Sequence, residues 1–307
     1  MSLAFRFCHS GERGIAIRKT VSFEKAKPLC ITPGTSIVTD HMTALRQQIR
    51  KALFQKGLPF KRLWEVYRNI IPAPLYGGQI IMEAYWRHCD QRKFFFIQVG
   101  SNDGIIDDPL YRFIKKYDWR GILLEPLPHV FTQLVHNHRA SRQVLPENAA
   151  ISSASGSQTF YRLRETQDKA QSLHHQKLST FNKDVIYKYR DSIADFDNLI
   201  VEEQVRTITF DELTEKHQVS QVDLLHVDVE GYDYEILKNF NFSRFSPALI
   251  LFEYKHLNRN DYLAAINYLK DRKYEVYRID ADDLLCIRTD LRELTALAGK
   301  RWQPAPL

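Results

Sequence analysis

No run of eighteen or more apolar residues occurs in the sequence. The densest stretches, Phe94 to Val99 and Ala248 to Phe252, have the length of buried strands, which argues against a bilayer-spanning helix. Cysteine is scarce: Cys8, Cys30, Cys89 and Cys286 stand far apart with no CxxC pair. Neither a disulfide framework nor a thiolate metal cage is expected from that spacing. No apolar secretory segment opens the chain, so a reducing, cytoplasmic location is the expectation. Internal repeats and low-complexity tracts are also lacking. What is present is a 44% hydrophobic chain of 307 residues, enough for one large domain plus an extension.

The formal charge of +6 is unevenly placed. Residues 1–93 hold 16 Lys and Arg against 6 Asp and Glu, leaving 27 against 31 in residues 94–307. The basic excess therefore belongs to the N-terminal part, and no nucleic-acid-tracking surface is expected on the remainder. Residues 43–68 form a basic arm suited either to an anionic partner or membrane surface or simply to a solvated helix face. Residues 1–41 mix Gly, Pro, Ser and Thr with Arg and Lys and show no period, which predicts a weakly ordered basic segment. Met42 is an alternative start to Met1. A transit peptide also fits the basic composition, although Glu12 and Glu24 count against it.

From Thr43, the apolar positions Leu45, Ile49, Leu53, Leu63, Val66 and Ile70 recur at near-helical spacing around a break at Gly57 and Pro59. Residues 42–92 read as a helical N-terminal extension, with a turn-rich connector at Pro72 to Gly78 and a helix over Gln79 to Cys89. Beyond Lys93, short apolar runs alternate with amphipathic segments, the pattern of a parallel sheet wrapped by helices. Strands are predicted at Phe94–Val99, Gly121–Leu124, Gln143–Pro146, Asp223–Val227, Ala248–Phe252, Tyr274–Ile279 and Leu284–Ile287. Helices are predicted near Pro109–Lys116, His129–His138, Tyr232–Asn239 and Asp261–Asp271. Residues 93–307 form the main domain, and residues 153–220 separate its third and fourth strands by far more than an ordinary connection. This insertion is expected to carry a strand at Ser157–Leu163, a polar stretch through Lys188 and a strand-to-helix unit at Val205–Lys216.

Three groups of residues carry chemistry. The first strand runs into Gly100-Ser101-Asn102-Asp103-Gly104, and the second ends in Glu125, followed by Pro126. In doubly wound sheets the first turn needs glycines for close backbone approach, and an acid ending the second strand accepts the ribose hydroxyls of a nucleoside. A dinucleotide turn has GxGxxG spacing and holds a pyrophosphate; here the spacing is GxxxG, and Asp103 would repel a phosphate. S-Adenosylmethionine, with cationic ammonium and sulfonium groups, suits a carboxylate-bearing turn better. The second group is Asp228-Val229-Glu230-Gly231, after the strand containing His226. Asp228 is expected to reach the crevice beyond the strand ends, whereas His226 reads first as a hydrogen-bonded core histidine. The third, Glu253-Tyr254-Lys255-His256, leaves the sheet at the same edge. Acceptor binding, general-base catalysis and a divalent metal on Asp228, Glu253 and His256 remain open there, with the metal not favoured.

The runs Phe96 to Gly104, Asp108-Pro109-Leu110, Leu124-Glu125-Pro126, Asn148 to Ile151, Thr207 to Leu213 and Asp228 to Gly231 resemble, in order and spacing, FkbM-type methyltransferases. The likeness spans roughly Lys93 to Arg288. It implies an α/β, Rossmann-like, seven-stranded class I methyltransferase sheet with helices on both faces and its last strand antiparallel. It further implies O-methylation with S-adenosyl-L-methionine as cofactor. By similarity, Gln98, Gly100, Ser101, Asn102, Asp103 and Gly104 surround the methionine part, Glu125 and Pro126 the ribose, and Asn148 and Ala149 the adenine. Asp228 borders both cofactor and acceptor, and Glu253 and His256 face the acceptor. Many relatives carry an acid where this chain has Gln98, whose carbonyl can still accept a hydrogen bond. The expected reaction is in-line methyl transfer to a hydroxyl, with Asp228 as base and Glu253 or His256 as replacements. The acceptor is expected to be a sugar, glycan or related small molecule met by the insertion's Tyr161, Gln171–His175 and Phe181. The alternatives are a secondary-metabolite hydroxyl, a non-catalytic cofactor-binding scaffold using the basic arm, and an NAD-dependent oxidoreductase.

Overall fold

The computed structural model describes residues 78–166 and 175–306. The expectations for residues 1–41, the basic arm at 43–68, the helices between Thr43 and Ile70, nearly all of the Pro72–Gly78 connector, and residues 171–174 lie outside the described residues.

Seven strands form the central sheet: β1 (Phe96–Val99), β2 (Gly121–Leu124), β3 (Val144–Glu147), β8 (Leu224–Val227), β9 (Leu249–Glu253), β10 (Tyr274–Arg278) and β11 (Asp283–Arg288). Their order is β3-β2-β1-β8-β9-β11-β10. β1, β2, β3, β8 and β9 run parallel, whereas β11 is antiparallel to both β9 and β10. This is the class I methyltransferase sheet that the resemblance implied. All residues of β1, β2, β8 and β9 are buried, because both faces of the sheet are covered, and so these strands read as nearly continuous apolar runs.

Alternation along the strands sorts their side chains into two cores. Ile97, Val99, Ile122, Leu225, Val227, Ile250 and Phe252 face α7 (Asp233–Asn239) and α8 (Arg259–Asp271), which contribute Ile236, Leu237, Ala265, Ile266 and Leu269. Phe96, Leu123, Leu224, Leu249 and Leu251 face the other way. There they meet Ile81 and Met82 of α1 (Gln79–His88), Phe113 and Ile114 of α2 (Tyr111–Tyr117), Leu134 of α3 (Pro128–His138) and Ala298 of α9 (Arg292–Gly299). α9 lies outside the predicted helices; it follows the last strand with only a short apolar stripe. α1 is fixed at the sheet's N-terminal edge by Asp223, which accepts from Tyr85 Oη at 2.7 Å and from the Phe95 amide at 2.9 Å. Asp223 thus sits at the opposite end of β8 from Asp228.

Between β3 and β8 a second sheet forms, in the order β4-β7-β5-β6, from β4 (Ala150–Ile151), β5 (Gly156–Leu163), β6 (Ser179–Thr180) and β7 (Ile200–Ile208). Short helices α4 (Lys183–Tyr187) and α5 (Phe196–Leu199) precede β7, and α6 (Phe210–Lys216) follows it. β7 begins five residues before the predicted strand, because Ile200 to Gln204 pair with β5 on a largely solvated surface and present no apolar run. α6 starts at a Thr209 cap whose hydroxyl accepts from the Glu212 amide. The two sheets are tied at Glu147, the last residue of β3, which accepts from Arg206 at 2.6 Å and Lys216 at 2.8 Å and lies 3.0 Å from His217. Burial opposes ionisation of Glu147, but Lys216, His217 and Arg206 outweigh it and hold the carboxyl down at about 2.

Candidate functional site

The strand order reverses between β1 and β8, and in open parallel sheets the crevice beyond such a reversal is where ligands lie. The chain brings four segments to that edge: the turn after β1, the end of β2, the turn after β8 and the end of β9.

The β1 turn is held from below by Gly100 and Ser101 amides donating to Leu124 O at 3.2 and 2.9 Å. Gly100, Asn102 and Gly104 all adopt positive φ, of 82°, 48° and 69°. Asp103 is buried, and its Oδ1 accepts from the Ile105 and Ile106 amides at 2.9 and 2.8 Å, so this carboxylate shapes the turn itself. Ser101 Oγ donates to Gln98 O at 3.3 Å. Gln98 is 1% exposed; its Nε2 donates to Asp108 Oδ1 at 3.4 Å, while its Oε1 has no hydrogen-bond partner among the described residues.

Glu125 extends from β2 to this turn. Its Oε2 accepts from the Asn102 amide at 3.0 Å and its Oε1 from the Leu127 amide at 2.9 Å. Burial pushes the carboxyl up to about 7, and the Asn102 and Leu127 amides only partly offset this. Asn148 Nδ2 donates to the carbonyls of Glu125 and Pro126 at 2.8 and 3.0 Å, fixing the chain that carries the acid. Ala149 is fully buried beside it in the core.

After β8, Glu230 and Gly231 take positive φ of 53° and 90°. This turn closes on the fully buried Asp233, which accepts from the Val229 amide at 3.3 Å and the Gly231 amide at 3.1 Å. Asp228 stands at its start, next to the β1 turn, with its amide donating to Val99 O at 3.0 Å. Burial and the neighbouring Glu230 push its carboxyl up to about 7, against Lys177 and Lys255. From β9, Glu253 Oε1 approaches His256 Nε2 to 3.7 Å, and Glu230 Oε2 approaches the same nitrogen to 3.0 Å. The Glu253 carboxyl is pushed far up by burial and by the acids Asp228, Glu230, Asp233 and Asp283. His226 is buried in the sheet as expected, but its Nδ1 has no hydrogen-bond partner among the described residues, so it is not the hydrogen-bonded core histidine expected; burial depresses it to about 3, which makes it a neutral imidazole.

The second-sheet segment leans on this edge. Gln176 Nε2 donates to Asn102 Oδ1 at 2.5 Å, Lys177 pairs with Asp107, and Lys188 Nζ donates to His256 O at 3.4 Å. Phe181 packs between Phe160 and Tyr232 with ring centroids 4.9 and 5.3 Å away. Glu230, Asp233 and Asp283 received no role from the sequence. Glu230 lies in the run Asp228-Val229-Glu230-Gly231, and an acid before Gly at a helix start is the available signal. Asp283 becomes visible only through its pairing with Glu253 across β9 and β11, a register no local pattern reveals.

The fold and this edge define a Rossmann-like methyltransferase. The model of the methyltransferase FkbM domain matches residues 98–276, and the chain belongs to that family. No curated protein sequence matches the chain. Among solved structures, it is similar to the methyltransferase FkbM from Methylobacillus flagellatus KT, at 13% identity and TM-score 0.40, with 64% of this chain and 43% of that one covered. The chain thus spans less than half of that protein's length. It is also similar to a putative caffeoyl-CoA O-methyltransferase from Staphylococcus aureus, at 9% identity and TM-score 0.41, covering 82% and 100%. A third is Aeropyrum pernix fibrillarin with natively bound S-adenosyl-L-methionine, at 15% identity and TM-score 0.34, covering 63% and 65%. No described helix is long and apolar enough to cross a membrane.

Proposed function

We propose that this chain is an S-adenosylmethionine-dependent O-methyltransferase acting on a hydroxyl of a sugar, glycan or related small molecule. The observation that carries the reading is Glu125: a buried carboxyl, aligned by two backbone amides, at the end of the strand beside a GxxxG turn. Such a group has strong reason to accept further hydrogen bonds, and the paired hydroxyls of a ribose supply them. The second acceptor is Gln98 Oε1, buried and without a partner among the described residues, which suits an ammonium donor at the methionine end. Gly100, Ser101, Asn102, Asp103 and Gly104 form the turn between the two. Asn148 fixes the chain at Glu125 and Pro126, and Ala149 packs in the core beneath the proposed adenine position.

When bound, the cofactor supplies an electrophilic methyl group whose sulfur leaves with the carbon–sulfur electron pair. Asp228 accepts the proton that the acceptor oxygen releases as its bond to carbon forms, and a carboxyl lifted to about 7 is better matched to that task than an ordinary Asp. Glu253 and His256 hold the acceptor side. The 153–220 insertion within the 93–307 methyltransferase domain acts as lid and acceptor platform. Gln176, Lys177 and Lys188 latch it to the crevice edge, and Phe181 and Tyr161 offer ring faces.

Three outcomes are expected. S-Adenosylhomocysteine raises the melting temperature of the full chain and NAD does not; the reverse would mean an oxidoreductase. Its affinity also falls with acidification below about pH 7, by up to about tenfold per unit. The reason is that protonating Glu125 removes an acceptor the ribose needs, so that binding releases a proton. Glu125→Gln weakens binding by roughly 10- to 100-fold, the loss of one charge-assisted hydrogen bond, and flattens the pH dependence. Calorimetric titrations at pH 5.5 and 8 that give equal affinities for the unmodified chain would remove Glu125 from the ribose site.

A further inference from the structure

Where β8 and β9 end, Glu230, Glu253 and His256 each present a ligand atom within 4.8 Å of the other two. Glu253 is 7% exposed and His256 8% exposed, so neither is a solvated surface group. Buried carboxylate oxygens are nearly always hydrogen-bonded, yet Glu253 Oε2 and Glu230 Oε2 have no hydrogen-bond partner among the described residues. The 3.0 Å approach of Glu230 Oε2 to His256 Nε2 therefore lacks hydrogen-bond alignment. His256 Nε2 thus faces two carboxyl oxygens without an aligned hydrogen bond to either, an arrangement that a shared cation would satisfy.

The neighbouring lysines do not fill that role. Lys177 pairs with Asp107, Lys255 lies 3.4 Å from Asp282, and Lys188 donates to the His256 carbonyl. The separations of 3.0 and 3.7 Å match the edges of a coordination polyhedron, since ligands about 2.1 Å from a shared ion lie about 3.0 Å apart at right angles. The positive-φ turn at Glu230 and Gly231, closed by Asp233, aims Glu230 at the histidine.

We propose that Glu230, Glu253 and His256 bind a divalent first-row transition ion beside Asp228. Two carboxylates and one imidazole form a borderline donor set that favours Mn²⁺, Fe²⁺ or Zn²⁺ over Mg²⁺ and Ca²⁺. Three protein ligands leave coordination positions open. Resting on the methyl-transfer reading above, the acceptor's oxygens take those positions, and the ion orients the reacting hydroxyl and lowers its pKa. Glu230 rather than Asp228 completes the set, which differs from the metal grouping read from the sequence.

The test uses Mn²⁺ alone with the full chain, without cofactor or acceptor. Titration followed by the EPR signal of free Mn²⁺ is expected to show one bound equivalent. Pulsed EPR is expected to show the nitrogen coupling of one imidazole, which reads the histidine without any substitution. Glu230→Gln and His256→Gln each weaken binding by more than about a hundredfold, beyond the cost of removing an outer-shell partner. No binding up to millimolar Mn²⁺, no nitrogen coupling, or equal binding in folded variants overturns the site. Turnover unchanged after chelation overturns the acceptor role alone. Absence of methyl transfer under every condition overturns the methyl-transfer reading and leaves the ion count standing.

Discussion

Replacing Asp228 by Asn is expected to lower the rate of methyl transfer by about 10²- to 10⁴-fold, the range that a positioned proton acceptor contributes. Affinity for S-adenosylhomocysteine should change far less. Asn keeps the shape of the side chain and the backbone amide that bonds Val99 O, so the β8 end stays in register. What it removes is the role proposed for this carboxyl, accepting a proton from the acceptor hydroxyl. Because burial raises that carboxyl above the ordinary Asp value, the unmodified enzyme gains activity as pH rises through the range where Asp228 becomes ionised. The substituted enzyme has no such limb. Formation of S-adenosylhomocysteine in the presence of a hydroxyl-rich acceptor fraction, followed from pH 5.5 to 9, measures both effects. Full turnover with the limb intact in Asp228→Asn would transfer the role to Glu253 or His256.

The parallel core was legible because strands buried on both faces are written as nearly continuous apolar runs, broken here only by Gln98, His226 and the terminal Glu253. β1, β2, β8 and β9 announce themselves in Phe96–Val99, Gly121–Leu124, Leu224–Val227 and Leu249–Glu253. Strand order was legible only through resemblance, since the antiparallel placement of β11 depends on pairings of Leu284 and Cys286 with β9 that no periodicity encodes. The second sheet was legible in part. β5 was readable at Ser157–Leu163, whereas the alternation of half-solvated β7 is diluted by Glu202, Glu203 and Gln204, and only its more buried C-terminal half carried a signal.

At the site, residues reached by local geometry were readable and those reached by tertiary approach were not. Glu125 follows directly from a strand end and a glycine turn. By contrast, nothing in the sequence tells that Asp103 spends its Oδ1 on two amides of its own loop, or that Gln176 and Lys177 arrive at Asn102 and Asp107 from some seventy residues away. The crowding of Asp228, Glu230, Glu253, Asp233 and Asp283 is likewise a product of folding, since three strand ends deliver the acids. That crowding is costly to the fold, and so a concentration of buried and half-buried carboxyls at a strand-reversal crevice is better explained by the site's chemistry than by stability.

Gly100→Ala is expected to have the largest effect on the fold itself. A methyl group at position 100 would lie 1.8 Å from the Asp228 carbonyl oxygen and 2.8 Å from its carbon, and both are backbone atoms that no rotamer change can move. The φ of 82° adds strain of order 1–3 kcal/mol for a residue with a side chain. Relief would require β1 and β8 to separate at the hydrogen bond from the Asp228 amide to Val99 O, in the middle of the sheet. A loss beyond about 4 kcal/mol follows, and for a chain of this size that lowers the melting temperature by roughly 10 °C or more, or prevents folding. The same close approach places Asp228 against the β1 turn proposed to hold the cofactor, so stability and S-adenosylhomocysteine binding should fall together. Thermal unfolding of Gly100→Ala with and without S-adenosylhomocysteine reads both. A variant that melts like the unmodified chain and still binds the ligand would show that the β1 turn and the Asp228 carbonyl are not in contact, and the crevice drawn between them would have to be redrawn.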